Sequence, residues 1–162
     1  IPEELQYTFF IEGGTMGVEN AMKACFDWKT RKKKKKGIDH EAGICIHFKQ
    51  AFHGRSGYTL SLTNTSDPRK YQYFPKFDWP RILKPHQNFP ITKENLEKTK
   101  KNEQLALLHI QEAILSNPDQ VACIIIEPIQ AEGGDHHFRD EFFQGLRNLC
   151  DDNEILLIFV FF

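Results

Sequence analysis

Val121-Ala122-Cys123-Ile124-Ile125-Ile126 runs without a break into Glu127-Pro128-Ile129-Gln130-Ala131-Glu132-Gly133-Gly134-Asp135. Six consecutive apolar residues, mostly β-branched, offer no polar face to water, so the run predicts a strand covered on both sides, as in a parallel sheet. Open α/β sheets bind ligands in the crevice outside the carboxyl ends of their strands, which makes the acid- and glycine-dense loop after Ile126 a candidate site wall. Upstream, Thr92 is a plausible N-cap for a long helix to Asn117, with Glu94 and Glu97 in its first turns and an apolar second half through Leu107, Leu108, Ile110, Ile114 and Leu115. Ser116-Asn117-Pro118 stops it. Downstream, Asp140 is placed to cap a helix whose face is Phe142, Phe143, Leu146, Leu149 and Cys150, and Ile155 to Phe162 reads as the last buried strand.

The first half repeats this alternation. Tyr7 to Ile11 reads as a short β run feeding Glu12-Gly13-Gly14-Thr15, and Val18, Ala21, Met22, Cys25 and Trp28 recur at the spacing of an amphipathic helix. Arg31 to Lys36 ends that helix, so residues 31–37 are expected as a solvated basic loop. Ile44 to Phe48 predicts a second buried strand, followed by Ala51-Phe52-His53-Gly54-Arg55-Ser56-Gly57-Tyr58. Tyr58 to Thr65 fits a short helix or strand, and residues 66–91, rich in proline and aromatic rings, predict a long ordered loop. Helices alternating with continuous apolar strands give the fold class: α/β, a mainly parallel sheet with helices on both faces, in one domain over 1–162.

Composition narrows the partners. The 21 basic and 22 acidic residues balance to a net charge of -1, so no global field draws the chain to nucleic acid or an anionic membrane. The basic run has no interleaved aromatic residues on which bases would stack. Cys25, Cys45, Cys123 and Cys150 lie far apart in apolar contexts without a Cys-x-x-Cys pair, which predicts reduced, core-filling thiols in a cytoplasmic or organelle-matrix protein. The longest apolar run, Ile155 to Phe162, is too short to span a bilayer. The chain starts in mid-pattern and stops inside a strand, so it is expected to be a fragment truncated at both ends.

Three polar loops, at Gly13 to Thr15, Phe52 to Ser56 and Glu127 to Asp135, each follow a predicted strand and so line up along one edge of a parallel sheet. A glycine pair opening a helix exposes unpartnered N–H groups where the helix dipole favours an anion, so Gly14 and Thr15 make either a phosphate cradle or an ordinary tight turn. His53 is open to two roles, catalytic acid or structural hydrogen-bonder. The planar fork of Arg55 suits bidentate carboxylate recognition. Asp135-His136-His137 has no third ligand placed beside it, and no metal site is assigned. Neither a Gly-x-Ser-x-Gly elbow nor a P-loop lysine is present.

The stretch Glu12 to Lys23, with Phe26-Asp27-Trp28-Lys29, resembles the phosphate-binding turn and helix of class III aminotransferases, which use pyridoxal phosphate. Ala51 to Thr65, Phe74 to Ile82 and Glu127 to Asp135 resemble the lysine 6-aminotransferase branch of that family, and the two middle motifs set it apart from the ornithine and acetylornithine branches. The resemblance covers nearly the whole chain but less than half of a family subunit, and implies a fragment of the large domain of a fold-type I pyridoxal-phosphate-dependent transferase. Gly14 and Thr15 would then offer backbone donors to the cofactor phosphate, Phe52 would stack on the pyridine ring with His53 beside it, and Arg55 would bind the α-carboxylate of glutamate or 2-oxoglutarate. Glu132 would neutralise a second arginine when lysine is bound and move aside for the dicarboxylate. The implied reaction moves the ε-amino group of L-lysine to 2-oxoglutarate in a cytoplasmic homodimer, with no nucleic acid and no membrane.

The resemblance breaks at Ile158-Phe159-Val160-Phe161-Phe162, where the family reads Ile-Phe-Asp-Glu. Val160 replaces the acid that pairs with the pyridine nitrogen, and none of the lysines stands in a motif matching the Schiff-base lysine, so no catalytic residue is assigned. The chain by itself is therefore expected not to transaminate. It is either a piece of a lysine 6-transaminase-like enzyme or a catalytically dead fragment acting at most as a binding or interaction module.

Overall fold

The computed structural model describes residues 5–161. In chain order the elements are α1 (Gly14–Lys35), β1 (Ile44–Phe48), α2 (Gly57–Leu62), a 3-10 turn (Pro68–Lys70), β2 (Arg81–Ile82), α3 (Lys93–Ser116), β3 (Val121–Ile126), β4 (Ile129–Gln130), β5 (His136–His137), α4 (Asp140–Asp152) and β6 (Leu156–Phe159). Four of the strands make a sheet of order β2-β1-β3-β6, parallel throughout. The register sets Ile46 beside Ile124 and Ile126 beside Phe159. β4 and β5 form a separate antiparallel ribbon in the loop after β3.

The all-apolar composition of β3 follows from its place in the middle of this sheet. All six of its residues are buried. Val121, Ile124 and Ile126 join a core with Ala106 and Ile110 of α3 and Phe142, Leu146 and Cys150 of α4. Ala122, Cys123 and Ile125 join a second core with Val18, Met22 and Cys25 of α1. The expected arrangement, helices on both faces of a parallel sheet, is therefore present. All four cysteines are free and buried; the hydrogen bond with Cys123 and then burial push the Cys25 thiol upward, and at Cys123 the Cys25 bond lowers the value while the Cys45 bond and burial raise it by more.

Several boundaries differ from the sequence reading. Tyr7 to Ile11 forms no strand; its residues stand exposed, because β propensity yields a strand only where a neighbouring edge supplies the hydrogen-bond ladder. Residues 31–35 are helical rather than loop, since lysine is a good helix former and suits the negative end of the helix dipole. Lys29 donates to the carbonyls of Asn153 and Glu154 at 3.0 and 2.9 Å, and Lys32 and Lys36 pair with the Glu154 carboxylate, so this end of α1 clasps the turn between α4 and β6. Arg139, not Asp140, is the N-cap of α4, and Asp140 is its first helical residue. β6 covers only Leu156 to Phe159 and is half-buried, as befits the edge of a sheet; Phe162 lies outside the described residues.

The long aromatic segment contains β2, which the sequence reading leaves as loop, and is pinned where its rings meet the helices. Phe77 and Trp79 stack at 4.8 Å and 9° between planes, Tyr58 of α2 packs on both, and Phe26 of α1 meets Tyr58 and Trp79 edge-on. Tyr73, Phe74 and Phe89 remain exposed. Thr92 caps α3 as expected, its hydroxyl accepting the Asn95 N–H at 3.1 Å.

Candidate functional site

The loops that precede α1, follow β1 and follow β3 meet at the carboxyl end of the sheet. Gly13 takes φ 79 and turns the chain into α1, whose start has no side-chain cap. The first-turn N–H groups are therefore open to an external acceptor. Against them lies Gly54, at φ 111: a Cβ built there would stand 2.5 Å from Thr15 Oγ1 and 2.8 Å from Thr59 Oγ1. Only a residue without a side chain lets the second loop approach the helix start this closely.

Polar side chains buried beneath the second loop hold it in place. The Thr63 hydroxyl accepts the His53 N–H at 3.0 Å and donates to the Gly54 carbonyl at 2.7 Å. Asn64 accepts the Gln50 N–H at 2.6 Å and donates to the Phe48 carbonyl at 3.2 Å. Glu19, buried in α1, accepts the Tyr58 N–H at 2.9 Å and the Ser56 hydroxyl, so its carboxylate satisfies the start of α2. Thr63, Asn64 and the buried acid of α1 thus serve one purpose, fixing the chain between Gln50 and Tyr58.

The third loop is fastened to the second through Glu127. Its Oε1 accepts the Phe52 N–H at 2.8 Å, and Gln130 Nε2 donates to the Lys49 carbonyl at 3.0 Å. Gly133 passes so near that an added Cβ would lie 2.1 Å from the Gln50 carbonyl oxygen. Burial pushes the Glu127 carboxyl up to about 7, and its Oε2 has no hydrogen-bond partner. This position therefore holds or releases a proton near neutral pH.

Each residue singled out from sequence has a definite place. Gly14 and Thr15 open α1. Phe52 is half-buried and Arg55 exposed, with Arg55 lining a cavity of about 320 Å³ together with Leu60, Lys70 and Phe74. Glu132 pairs with Lys70, whose ammonium lies 6.0 Å from the centroid of the Phe52 ring. His53 is 1% exposed, and neither of its ring nitrogens is hydrogen-bonded. Of the two roles open to His53, its backbone makes the structural bond and its ring makes none. The His136 ring meets Lys84 and His86, and His137 lies near Asp135, with no set of three or more candidate metal ligands among the described residues.

Acid stability follows from these buried groups. Desolvation lowers His53 to about 3, and desolvation with repulsion from Arg81 lowers His47 to about 3. Below the ordinary value near 6.5 the unfolded chain gains two protons that the folded chain refuses, so stability falls as pH falls. Glu127 acts oppositely between its ordinary 4.5 and about 7, where the folded chain keeps a proton that the unfolded chain has lost. The two buried histidines outweigh it below pH 6.5, and His136, lowered to about 4 by burial and by Lys84, acts in the same direction. Melting temperature is expected to drop from pH 6.5 to 5 and more steeply towards pH 4; a flat profile would mean that these imidazoles are charged or solvated in the fold.

The profile of the family described as Aminotransferase class-III matches residues 1–159. The chain belongs to the class-III aminotransferase family. Among curated relatives, this class-III chain is 49% identical over 156 residues to the L-lysine-epsilon aminotransferase of Mycobacterium tuberculosis, covering 96% of the chain and 34% of the relative. It is 45% identical over 157 residues to the L-lysine-epsilon aminotransferase of Amycolatopsis lactamdurans, with 95% and 34% covered. The solved structure of lysine aminotransferase from M. tuberculosis superposes with a TM-score of 0.88 at 49% identity over 93% of the chain and 34% of that structure. The chain thus spans about a third of the length of the relatives it matches. Class-III aminotransferases are generally pyridoxal-phosphate-dependent, and the sheet described above is a piece of their α/β fold.

In this class-III chain the sequence reading misses the parts played by Glu127, Glu19 and Lys70. Glu127 carries a faint signal, a carboxylate directly after six buried apolar residues. Lys70 carries none, since it reads like any surface lysine.

Proposed function

We propose that the chain is the phosphate- and carboxylate-binding part of a lysine-epsilon-type aminotransferase that takes L-lysine and 2-oxoglutarate. One observation carries this reading: Gly54 presses against Thr15 at the uncapped start of α1, uniting an anion-binding helix end with the loop that bears Phe52 and Arg55. The residues present suit pyridoxal phosphate in two respects. The Gly14 and Thr15 N–H groups would hold its phosphate, and Phe52 would cover its ring. The cofactor supplies an electron sink for the bond broken at the amino-bearing carbon.

The chain's own groups do the positioning. Arg55 offers a fork to a substrate carboxylate. Glu127 holds the Phe52 backbone and keeps a proton near the ring-binding wall. Glu132 offers negative charge to an ammonium. Val160, whose N–H donates to the Ile126 carbonyl at 3.0 Å, stands in the ladder where the family has an acid, and its side chain has no charge to set against a pyridinium. That substitution supports the second reading, a binding module without turnover. The lysine-epsilon aminotransferase reading carries a homodimer in the cytoplasm, and no helix among the described residues is long and apolar enough to cross a membrane.

The test is titration with pyridoxal phosphate against pyridoxal, followed by absorbance and protein fluorescence, with glutamate assayed after addition of L-lysine and 2-oxoglutarate. The phosphate ester is expected to bind at least about tenfold more tightly, because charge-assisted bonds to open backbone N–H groups are worth roughly 1.5–3 kcal/mol. No sustained glutamate is expected. Equal binding of the two compounds would remove the phosphate site, and sustained glutamate formation would show that Val160 does not prevent turnover.

A further inference from the structure

Lys84 lies just beyond β2, and its ammonium is 2.7 Å from Nδ1 of His136 on β5. The His86 ring meets the His136 ring edge-on, with centroids 4.5 Å apart. His136 in turn rests on Gly134, where a Cβ would stand 2.9 Å from its Cε1. Three half-buried basic side chains thus gather between the loop after β2 and the β4–β5 ribbon. The other charges that act on them are Asp135, which attracts at His136, and Lys98 of α3, which repels at His86. Lys84 itself pairs with no carboxylate among the described residues.

An ammonium that is partly removed from water and has no counter-charge sheds its proton readily. Burial lowers Lys84 to about 8, and burial with repulsion from Lys84 lowers His136 to about 4. Desolvation next to other basic groups is the usual way a lysine becomes a nucleophile near neutral pH. Burial also lowers Lys29 and Lys33, but both are enclosed: Lys29 donates to the Asn153 and Glu154 carbonyls, and Lys33 meets His40. Of these three lysines, only Lys84 combines a loosened proton with access from solvent.

We propose that Lys84 is a covalent modification site for small aldehydes, its amine positioned by His136 and flanked by His86. The amine nitrogen adds to the carbonyl carbon, forming a C–N bond while the C=O π electrons move to oxygen. One proton passes from nitrogen to that oxygen. The hydroxyl then leaves as water, taking the second N–H proton, and an imine remains; no oxidant or reductant is consumed. Lys84 lies outside the loops that bear Gly14, Phe52 and Arg55, so the inference does not rest on the cofactor reading.

The probe is acetaldehyde, with cyanoborohydride to trap the imine as an ethylamine, read at each lysine by peptide mass mapping of the whole chain. At neutral pH and limiting reagent Lys84 is expected to be ethylated about tenfold faster than Lys101, an exposed lysine of α3. The Lys84 rate should level off above about pH 8. His136→Glu supplies the missing carboxylate and should bring Lys84 down to the Lys101 rate. His136→Gln, neutral and still able to accept the Lys84 N–H, should keep the excess; the melting temperature of each variant shows that it is folded. Equal rates at Lys84 and Lys101 in the wild type, or an excess that is unchanged in His136→Glu, would overturn the proposal.

Discussion

Gly54→Ala is expected to lower stability by about 3 kcal/mol and to erase the preference for pyridoxal phosphate over pyridoxal. Two costs combine. At φ 111 the backbone lies where L side chains rarely sit, a strain of roughly 1–3 kcal/mol. The new methyl would also overlap Thr15 Oγ1 and Thr59 Oγ1, at 2.5 and 2.8 Å, and overpacking of this kind costs roughly 1–3 kcal/mol more. Domains of this size are stable by only about 5–15 kcal/mol, so the loss is large. Urea denaturation measures it. The double variant Gly54→Ala with Thr15→Ala separates the two costs: the overlap is partly relieved and the backbone strain stays. A single variant within about 0.5 kcal/mol of wild type, the usual range for surface changes, would show that the two loops are not in contact. The functional loss has the same origin, because separating Gly54 from Thr15 moves the Phe52 loop away from the start of α1.

Gly133→Ala is expected to cost about 2–3 kcal/mol, at the upper end of what overpacking imposes. The added Cβ would stand 2.1 Å from the Gln50 carbonyl oxygen and 3.3 Å from Gln130 Cβ. A carbonyl cannot swing aside by changing rotamer, so the loop after β3 has to lift, and the Gln130 bond to the Lys49 carbonyl lifts with it. Hydrogen exchange should then quicken at the amides of residues 129–135 and at Phe52, whose N–H is held by Glu127, while the amides of β1 and β3 keep their protection. Unchanged exchange at residues 129–135 would refute the close approach. Glu132 sits on this loop, so its pair with Lys70 should also loosen in the variant.

How far the chain could be read before its fold was known depended on where each signal is stored. The β1 and β3 spans are readable to the residue, because burial on both faces demands a run that is apolar throughout, as in β3, or apolar but for one residue, His47, as in β1. α3 was readable from Thr92 and from Ser116-Asn117-Pro118, since capping and proline chemistry act within a few residues. Tyr7 to Ile11 was misread because its composition suits a strand, while a strand exists only with a partner. In the lysine run charge suggests solvent, whereas Lys33 of the run and Lys29 one turn before it bury long alkyl stems and spend their ammonium groups on His40 and on carbonyls.

The sequence by itself determined the elements, the side of the sheet on which the polar loops end, and, through its motifs, the family. Tertiary structure alone decided that Gly54 abuts Thr15, that Gly133 abuts Gln50, that Glu127 holds Phe52, and that the partner of Glu132 is Lys70. The division has a physical reason. Periodicity, caps and turns are written in neighbouring residues, but these four contacts join residues tens of positions apart, and their geometry exists only once the parallel sheet has brought its strand ends to one edge.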